Sequence, residues 1–331
     1  MTTNQRIDVC NGDADGLCAV LQWRLADPQP AQLVTGLKRD IALLERVQAG
    51  SGDEVLVCDV SLPRNLSALQ RLLAAGARVT YFDHHAPGLV PTHPRLQAHL
   101  AGSERTCTSL MVDAHLGHQL SRWALVGAYG DAIDDTADAL AEGWGLASAE
   151  RQSLRALGRA INHNAYGDSE ADVLVPPAQL YATLSRYADP LQCLRLEPLV
   201  RALIDRRTAD LQQALAQPPF WNDGESRAYL LPDAPWSRRA SGSLANELAA
   251  RRPDSAHAVL RSTGRGDYLV SVRAPMRHPQ GAESLCRRFG GGGRAAAAGI
   301  DRLPTGDLQR FLLAFARTDW SEPLTLQAAN A

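Results

Sequence analysis

The sequence predicts an α/β protein, with a parallel, doubly wound sheet in an N-terminal domain and a smaller α/β domain after it. Three observations carry this. Short β-branched runs alternate with amphipathic helical stretches through the first part of the chain. Three of those runs stop at acids or histidines, as strands do where they open onto a ligand crevice. The strand and helix rhythm then restarts after Pro218-Pro219. At 331 residues the chain also exceeds what one hydrophobic core usually organises, so two domains are expected.

Taken in order, Ile7 to Cys10 is a short strand running into Asn11-Gly12-Asp13-Ala14-Asp15-Gly16, and Leu17 to Leu25 has helical spacing. Gln32 to Thr35 is a second strand, followed by a helix near Asp40 to Val47. Glu54 to Cys58 is an apolar strand ending at Asp59, and Asn65 to Ala75 is an amphipathic helix. Arg78 to Phe82 closes the series at Asp83-His84-His85. Arg105 to Ser109 opens a further helix, and the apolar segment Trp123 to Gly130 ends at Asp131. Ala149 to Ile161 and Leu191 to Leu215 read as helices. The boundaries expected are a first domain over 1–190, a helical connector over 191–218 and a second domain over 219–331.

In the second domain Arg227 to Leu231, Ala256 to Arg261 and Asp267 to Arg273 read as strands, with a helix over Ser243 to Ala250. A helix from Gly281 to Arg288 delivers the chain into Gly290-Gly291-Gly292-Gly293-Arg294. Such a run suits either a flexible loop or a cradle of backbone N–H groups for an anion, with Arg294 adding charge. The following alanines predict an ordered, close-packed helix start.

The acids are the chemical signal. An Asp in a strand-to-helix turn is commonly a helix N-cap, and that could explain any one of them. It does not readily explain Asp13, Asp15, Asp59 and Asp83 on one edge of one sheet with His84 and His85.

Composition sets the class. The chain is 45% hydrophobic and 21% charged, as an ordinary globular protein is. A net charge of −2 gives no basic field for a processive grip on long nucleic acid. Lys38 is the only lysine; the remaining positive charge is arginine, which suits bidentate phosphate binding. The start, Met1 to Arg6, lacks the apolar core of a signal peptide, and no apolar run reaches membrane-spanning length. The six cysteines form no C-x-x-C pair and read as reduced, buried residues of a cytoplasmic protein.

Asp13-x-Asp15-Gly16, Asp59, Asp83-His84-His85 and Asp131 resemble, in order, the four motifs of the DHH phosphoesterase superfamily. The glycine run with Arg294-x-x-x-Ala298-Gly299 resembles the signature of its associated C-terminal domain. The superfamily includes the single-strand exonuclease RecJ, nanoRNases, cyclic-dinucleotide phosphodiesterases and family II inorganic pyrophosphatases. The resemblance implies an active site in the cleft between the two domains. Asp13, Asp15, Asp59, His84 and Asp131 would hold two divalent ions, Mn²⁺ foremost, with Mg²⁺ or Co²⁺ as substitutes. Asp59 would bridge them, Asp83 would support the site from behind, and His85 would face the scissile phosphate. Arg273, Gly291, Gly292, Gly293 and Arg294 would bind the substrate, with Asn11 and Arg105 as auxiliary groups.

Three positions depart from the family pattern. Val9 stands where many members place a metal-binding His, Asn11 where RecJ-like members place an Asp, and Arg294 where His is common. The function implied is a manganese-dependent phosphoesterase acting on phosphodiester or phosphomonoester bonds of small nucleotides. Its substrates would be short oligonucleotides, linear dinucleotides or nucleoside bisphosphates, with short single-stranded nucleic acid as a partner and no membrane. An exopolyphosphatase and a catalytically weak nucleotide-binding regulatory protein are the alternatives. A monomer or homodimer is expected.

Overall fold

A computed structural model describes residues 4–103 and 105–321. The chain divides into two compact units, Met1–Arg207 and Thr208–Ala331, and the division falls within 191–218.

The first unit begins with β1 (Arg6–Asn11), α1 (Ala14–Ala26), β2 (Gln32–Gly36), β3 (Glu54–Cys58), α2 (Leu62–Ala74), β4 (Arg78–Asp83) and β5 (Leu96–Leu100). It continues through α3 (Thr108–His115), α4 (Ser121–Gly130), α5 (Asp134–Gly143), α6 (Ser148–Ala165), α7 (Pro177–Leu184) and α8 (Pro190–Leu196), and the division falls inside α9 (Pro198–Leu215). The five strands form one sheet in the order β2-β1-β3-β4-β5, and every pairing is parallel.

The pleat sends alternate residues to opposite faces. Cys10, Leu56, Cys58 and Phe82 join one core with Leu17, Leu21, Trp123 and Leu157. Ile7, Val9, Val55, Val57, Val79 and Tyr81 join the other with Leu43, Leu69 and Leu72. Both faces are therefore covered, as an all-parallel sheet requires. The strand order reverses beside β1, so the crevice at the carboxyl ends of β1 and β3 is where a ligand site is expected.

Four local expectations are corrected. The stretch near Asp40 to Val47 is not an α-helix; only Leu43–Arg46 makes a 3₁₀ turn. The cause is Asn65, whose amide donates to Ile41 O at 2.7 Å while its Oδ1 accepts from Leu44 N at 3.1 Å, taking backbone groups a helix would use. The series does not close at β4: β5 adds a parallel edge strand, whose middle residues Gln97 and Ala98 are exposed and so carried no apolar pattern. Leu191 to Leu215 is two helices, α8 and α9, because Pro198 cannot continue α8. All six cysteines are buried free thiols.

The second unit contains β6 (Trp221–Asn222), β7 (Ser226–Leu231), α10 (Pro235–Arg251), β8 (Ala256–Ser262), β9 (Asp267–Arg273), α11 (Ala282–Arg287), β10 (Gly292–Gly293), β11 (Ala297–Pro304) and α12 (Leu308–Ala316). Its sheet order is β10-β11-β9-β8-β7-β6, mixed, with only β7 and β8 parallel. Leu244 and Leu248 of α10 cover one face against Tyr229 and Val259. Leu285, Phe311 and Phe315 cover the other against Val270, Val272 and Ile300.

The alanine run is the fourth correction: it turns into strand β11 and starts no helix. Arg294 N donates to Ala297 O at 2.8 Å, closing a tight turn between β10 and β11. Gly293 has φ of +144°, and a Cβ there would lie 2.5 Å from Ala298 Cα. Only glycine permits that hairpin.

Candidate metal centre

The end of β1 delivers Asn11 and Asp13. Asp13 caps α1, its Oδ1 accepting from Gly16 N at 3.1 Å. Asn11 stands behind it, Oδ1 accepting from Asp13 N at 3.2 Å and Nδ2 donating to Lys38 O at 3.4 Å. Asp15 lies in the first turn of α1. Its two oxygens accept from Thr108 N and Ser109 N, each at 2.7 Å, at the amino end of α3. That helix end both fixes and partly neutralises the carboxylate.

Asp59 follows β3 with φ of +56°, in the left-handed region that non-glycine residues seldom adopt. Its backbone N–H donates to Phe82 O at 3.0 Å, which holds the strained residue against β4. Asp83 ends β4 fully buried, and its Oδ1 accepts from His85 Nδ1 at 2.6 Å. Asp131 caps the carboxyl end of α4. It reaches the cluster because α4 packs against α1 and α3 through glycines: a Cβ on Gly130 would lie 2.3 Å from Ala14 Cβ of α1, and one on Gly127 2.1 Å from Ser109 Oγ of α3.

His84 is the hub. Its Nε2 lies 3.2 Å from Asp131 Oδ2 and 3.5 Å from Asp59 Oδ1. His85 Nδ1 lies 3.8 Å from the same Asp59 oxygen. Two groups place one ligand atom per residue within 4.8 Å of one another: Asp59, His84 and His85, and Asp15, His84 and Asp131. Asp13 belongs to neither.

The charges are frustrated. Burial, then the charges of Asp13, Asp15 and Asp131, push the Asp59 carboxyl well above its ordinary range. Burial and Asp15 likewise raise Asp131 to about 6. Burial also acts on Asp13, but the Lys38 ammonium and the Gly16 N–H outweigh it and hold that carboxyl below its usual value. The hydrogen bond to Asp83 raises His85.

Asp59 Oδ1 is buried with no hydrogen-bond partner, and so is Asp83 Oδ2. A buried carboxylate oxygen left unmatched, facing two imidazole nitrogens, fits a divalent cation. A donor set of carboxylates and imidazole suits Mn²⁺ or Mg²⁺ better than a thiolate set would.

The structure thus gathers Asp13, Asp15, Asp59, Asp83, His84, His85 and Asp131. Asn11 is occupied in positioning Asp13 and Lys38. Arg105 is exposed and makes no ion pair with these acids; it lines an open cavity of about 810 Å³ with Ala132, Asp134 and Asp135. Arg273, Gly291, Gly292, Gly293 and Arg294 belong to the second unit. There Arg273 Nε donates to Asn246 Oδ1 at 2.8 Å, at the end of β9, and Arg294 is exposed on the β10–β11 turn. Lys38 was the residue sequence reasoning left without a role. Its Nζ donates to Asp13 Oδ2 and lies 3.7 Å from Asp131 Oδ1. Its being the chain's only lysine was the one available signal.

No protein-family model matches the chain, and no curated protein resembles it in sequence. Solved structures do match. A DHH domain described as a member of the s1p family of ribosomal proteins superposes with a TM-score of 0.62 at 15% identity, over 95% of this chain and 86% of that one. Exonuclease RecJ bound to manganese gives 0.57 at 18% identity, over 96% and 92%. The pGpG-specific phosphodiesterase PggH from Vibrio cholerae gives 0.57 at 14% identity, over 95% and 99%. The chain has the DHH superfamily fold.

Proposed function

We propose that this chain is a divalent-metal-dependent phosphoesterase, with Mn²⁺ as its working ion, that hydrolyses small phosphorylated nucleotides. Short oligonucleotides, linear dinucleotides and nucleoside bisphosphates are the substrates that fit the reading. The observation carrying it is the buried, unpartnered Asp59 Oδ1, held at a strained backbone position and facing His84 and His85. The fold neighbours support it, since one is an exonuclease bound to manganese and another a pGpG-specific phosphodiesterase.

A divalent ion held by Asp15, Asp59, His84 and Asp131 would supply Lewis-acid charge to a phosphoryl group and acidify a water molecule. The protein's own groups do the rest. Asp83 holds His85 by Nδ1, leaving the half-exposed ring to present Nε2 to the substrate and pass a proton to the leaving oxygen. Asp15, locked by two backbone N–H groups, keeps its oxygens in place without rearrangement. Arg294 and the glycine turn are the proposed anchor for a phosphate of the substrate, with Arg273 beside them in function. Six buried free thiols support a reducing, cytoplasmic setting. No helix among the described residues is long and apolar enough to cross a membrane.

The test is hydrolysis of a linear dinucleotide, 3′-phosphoadenosine 5′-phosphate and polyphosphate in Mn²⁺, in chelator, and by Asp59→Asn. Turnover of a nucleotide that needs Mn²⁺ and Asp59 is expected; preference for polyphosphate would shift the reading to an exopolyphosphatase. One observation favours a second reading, a catalytically weak nucleotide-binding protein: Lys38 is tied into the acid cluster. Nucleotide binding without any turnover would establish that reading instead.

A further inference from the structure

Asn11, Asp13 and Lys38 form a corner of the cluster that satisfies itself. Asp13 accepts from Gly16 N at Oδ1 and from Lys38 Nζ at Oδ2, so its charge is already met by an ammonium. The neutral Asn11 amide spends both its groups on Asp13 N and Lys38 O. Lys38 is held on both sides, its own N–H donating to Ala165 O at 3.0 Å and its Nζ lying 5.8 Å from the centre of the Tyr166 ring. An ammonium is a compact point charge, closer in shape to a bound ion than a guanidinium. The chain uses arginine at all its other basic positions and lysine only here.

The opposite corner keeps an unmatched oxygen. Asp59 Oδ1 is open, Asp131 Oδ2 faces the His84 ring, and both candidate ligand groups are centred on His84. Resting on the metal-dependent reading above, we infer that Lys38 is a built-in cation filling the place of one of the two ions that the DHH resemblance implies, so that the chain holds a single divalent ion on the His84 side. A second dication beside Nζ would meet like charge, at a carboxylate whose charge Lys38 already balances. The site then works with one exchangeable ion and one fixed positive charge, and Lys38 would bring its ammonium to the phosphate without leaving Asp13.

The measurement is Mn²⁺ stoichiometry by equilibrium dialysis with metal analysis, together with the electron paramagnetic resonance spectrum of the bound ion. One Mn²⁺ per wild-type chain is expected, with the spectrum of an isolated ion. The double variant Asn11→Asp/Lys38→Met, which restores an acid and removes the ammonium, is expected to bind two ions and show an exchange-coupled pair. Two ions or a coupled pair on the wild-type chain would overturn the inference and leave the metal-dependent reading standing. So would a double variant that melts cooperatively and still binds one. A wild-type chain that binds no Mn²⁺ would overturn both. If the double variant does not fold, the wild-type spectrum alone decides.

Discussion

Replacing Asp131 by Asn is expected to stabilise the metal-free protein while weakening its hold on metal. Asp131 is raised from 3.8 to about 6, by burial first and by Asp15 next, although Lys38 and His84 pull the other way. Above both values its charge opposes folding by roughly 3 kcal/mol, on the relation between pKa shift and free energy. The folded state binds the extra proton between these values, so this contribution falls as pH rises from about 4 to about 6 and stays lost above. Asparagine keeps the shape and can still accept from His84 Nε2, 3.2 Å away. Its amide N–H groups need partners, so about 1–3 kcal/mol of gain is expected near pH 8, and little near pH 4. Urea unfolding with chelator at the two pH values measures it. With saturating Mn²⁺ the order should reverse, because binding stabilises only the chain that keeps its ligand. A metal-free variant that is less stable than wild type at both pH values would refute the frustrated-charge account.

Asp59→Asn keeps a side chain that tolerates the left-handed backbone, so it should fold, lose the bound ion and turn over at background rate; calorimetric Mn²⁺ titration and nucleotide hydrolysis check this. Gly127→Ala would place a methyl 2.1 Å from Ser109 Oγ and 3.1 Å from Asp15 Oδ1. It should cost about 1–3 kcal/mol, read as a lowered melting temperature. Arg294→Ala should raise KM about 10- to 150-fold for substrates with a terminal phosphate, the worth of a charge-assisted hydrogen bond, and change others little. Steady-state kinetics on a dinucleotide with and without its 5′-phosphate is the measurement; an equal fall in kcat for both would remove the anchoring role.

The first four strands of the first unit were legible and the exposed edge strand β5 was not; both faces of the sheet's interior are buried, and the apolar runs at Val55 to Cys58 and Val79 to Phe82 follow directly from that. Asp13, Asp59 and Asp83 were legible with them, since each sits at or just past the end of such a strand. Lys38 was not, since its role depends on a crossing from the end of β2 to Asp13 that no local pattern encodes. Nor was the clamp of α3 on Asp15, which joins residues 93 and 94 positions apart. The 3₁₀ turn at Leu43 likewise depends on a distant amide, that of Asn65.

The cysteines have a use that their burial creates. Desolvation raises Cys10, Cys18, Cys58 and Cys107 well above the ordinary thiol value, and Cys193 and Cys286 to about 12. None offers thiolate to a reagent while the fold is closed. Cys286 alone belongs to Thr208–Ala331, and the other five to Met1–Arg207. Alkylation followed over time in denaturant therefore clocks the opening of each unit separately, without an added label, and mass spectrometry of the Cys286 peptide against the rest would tell whether the two open together.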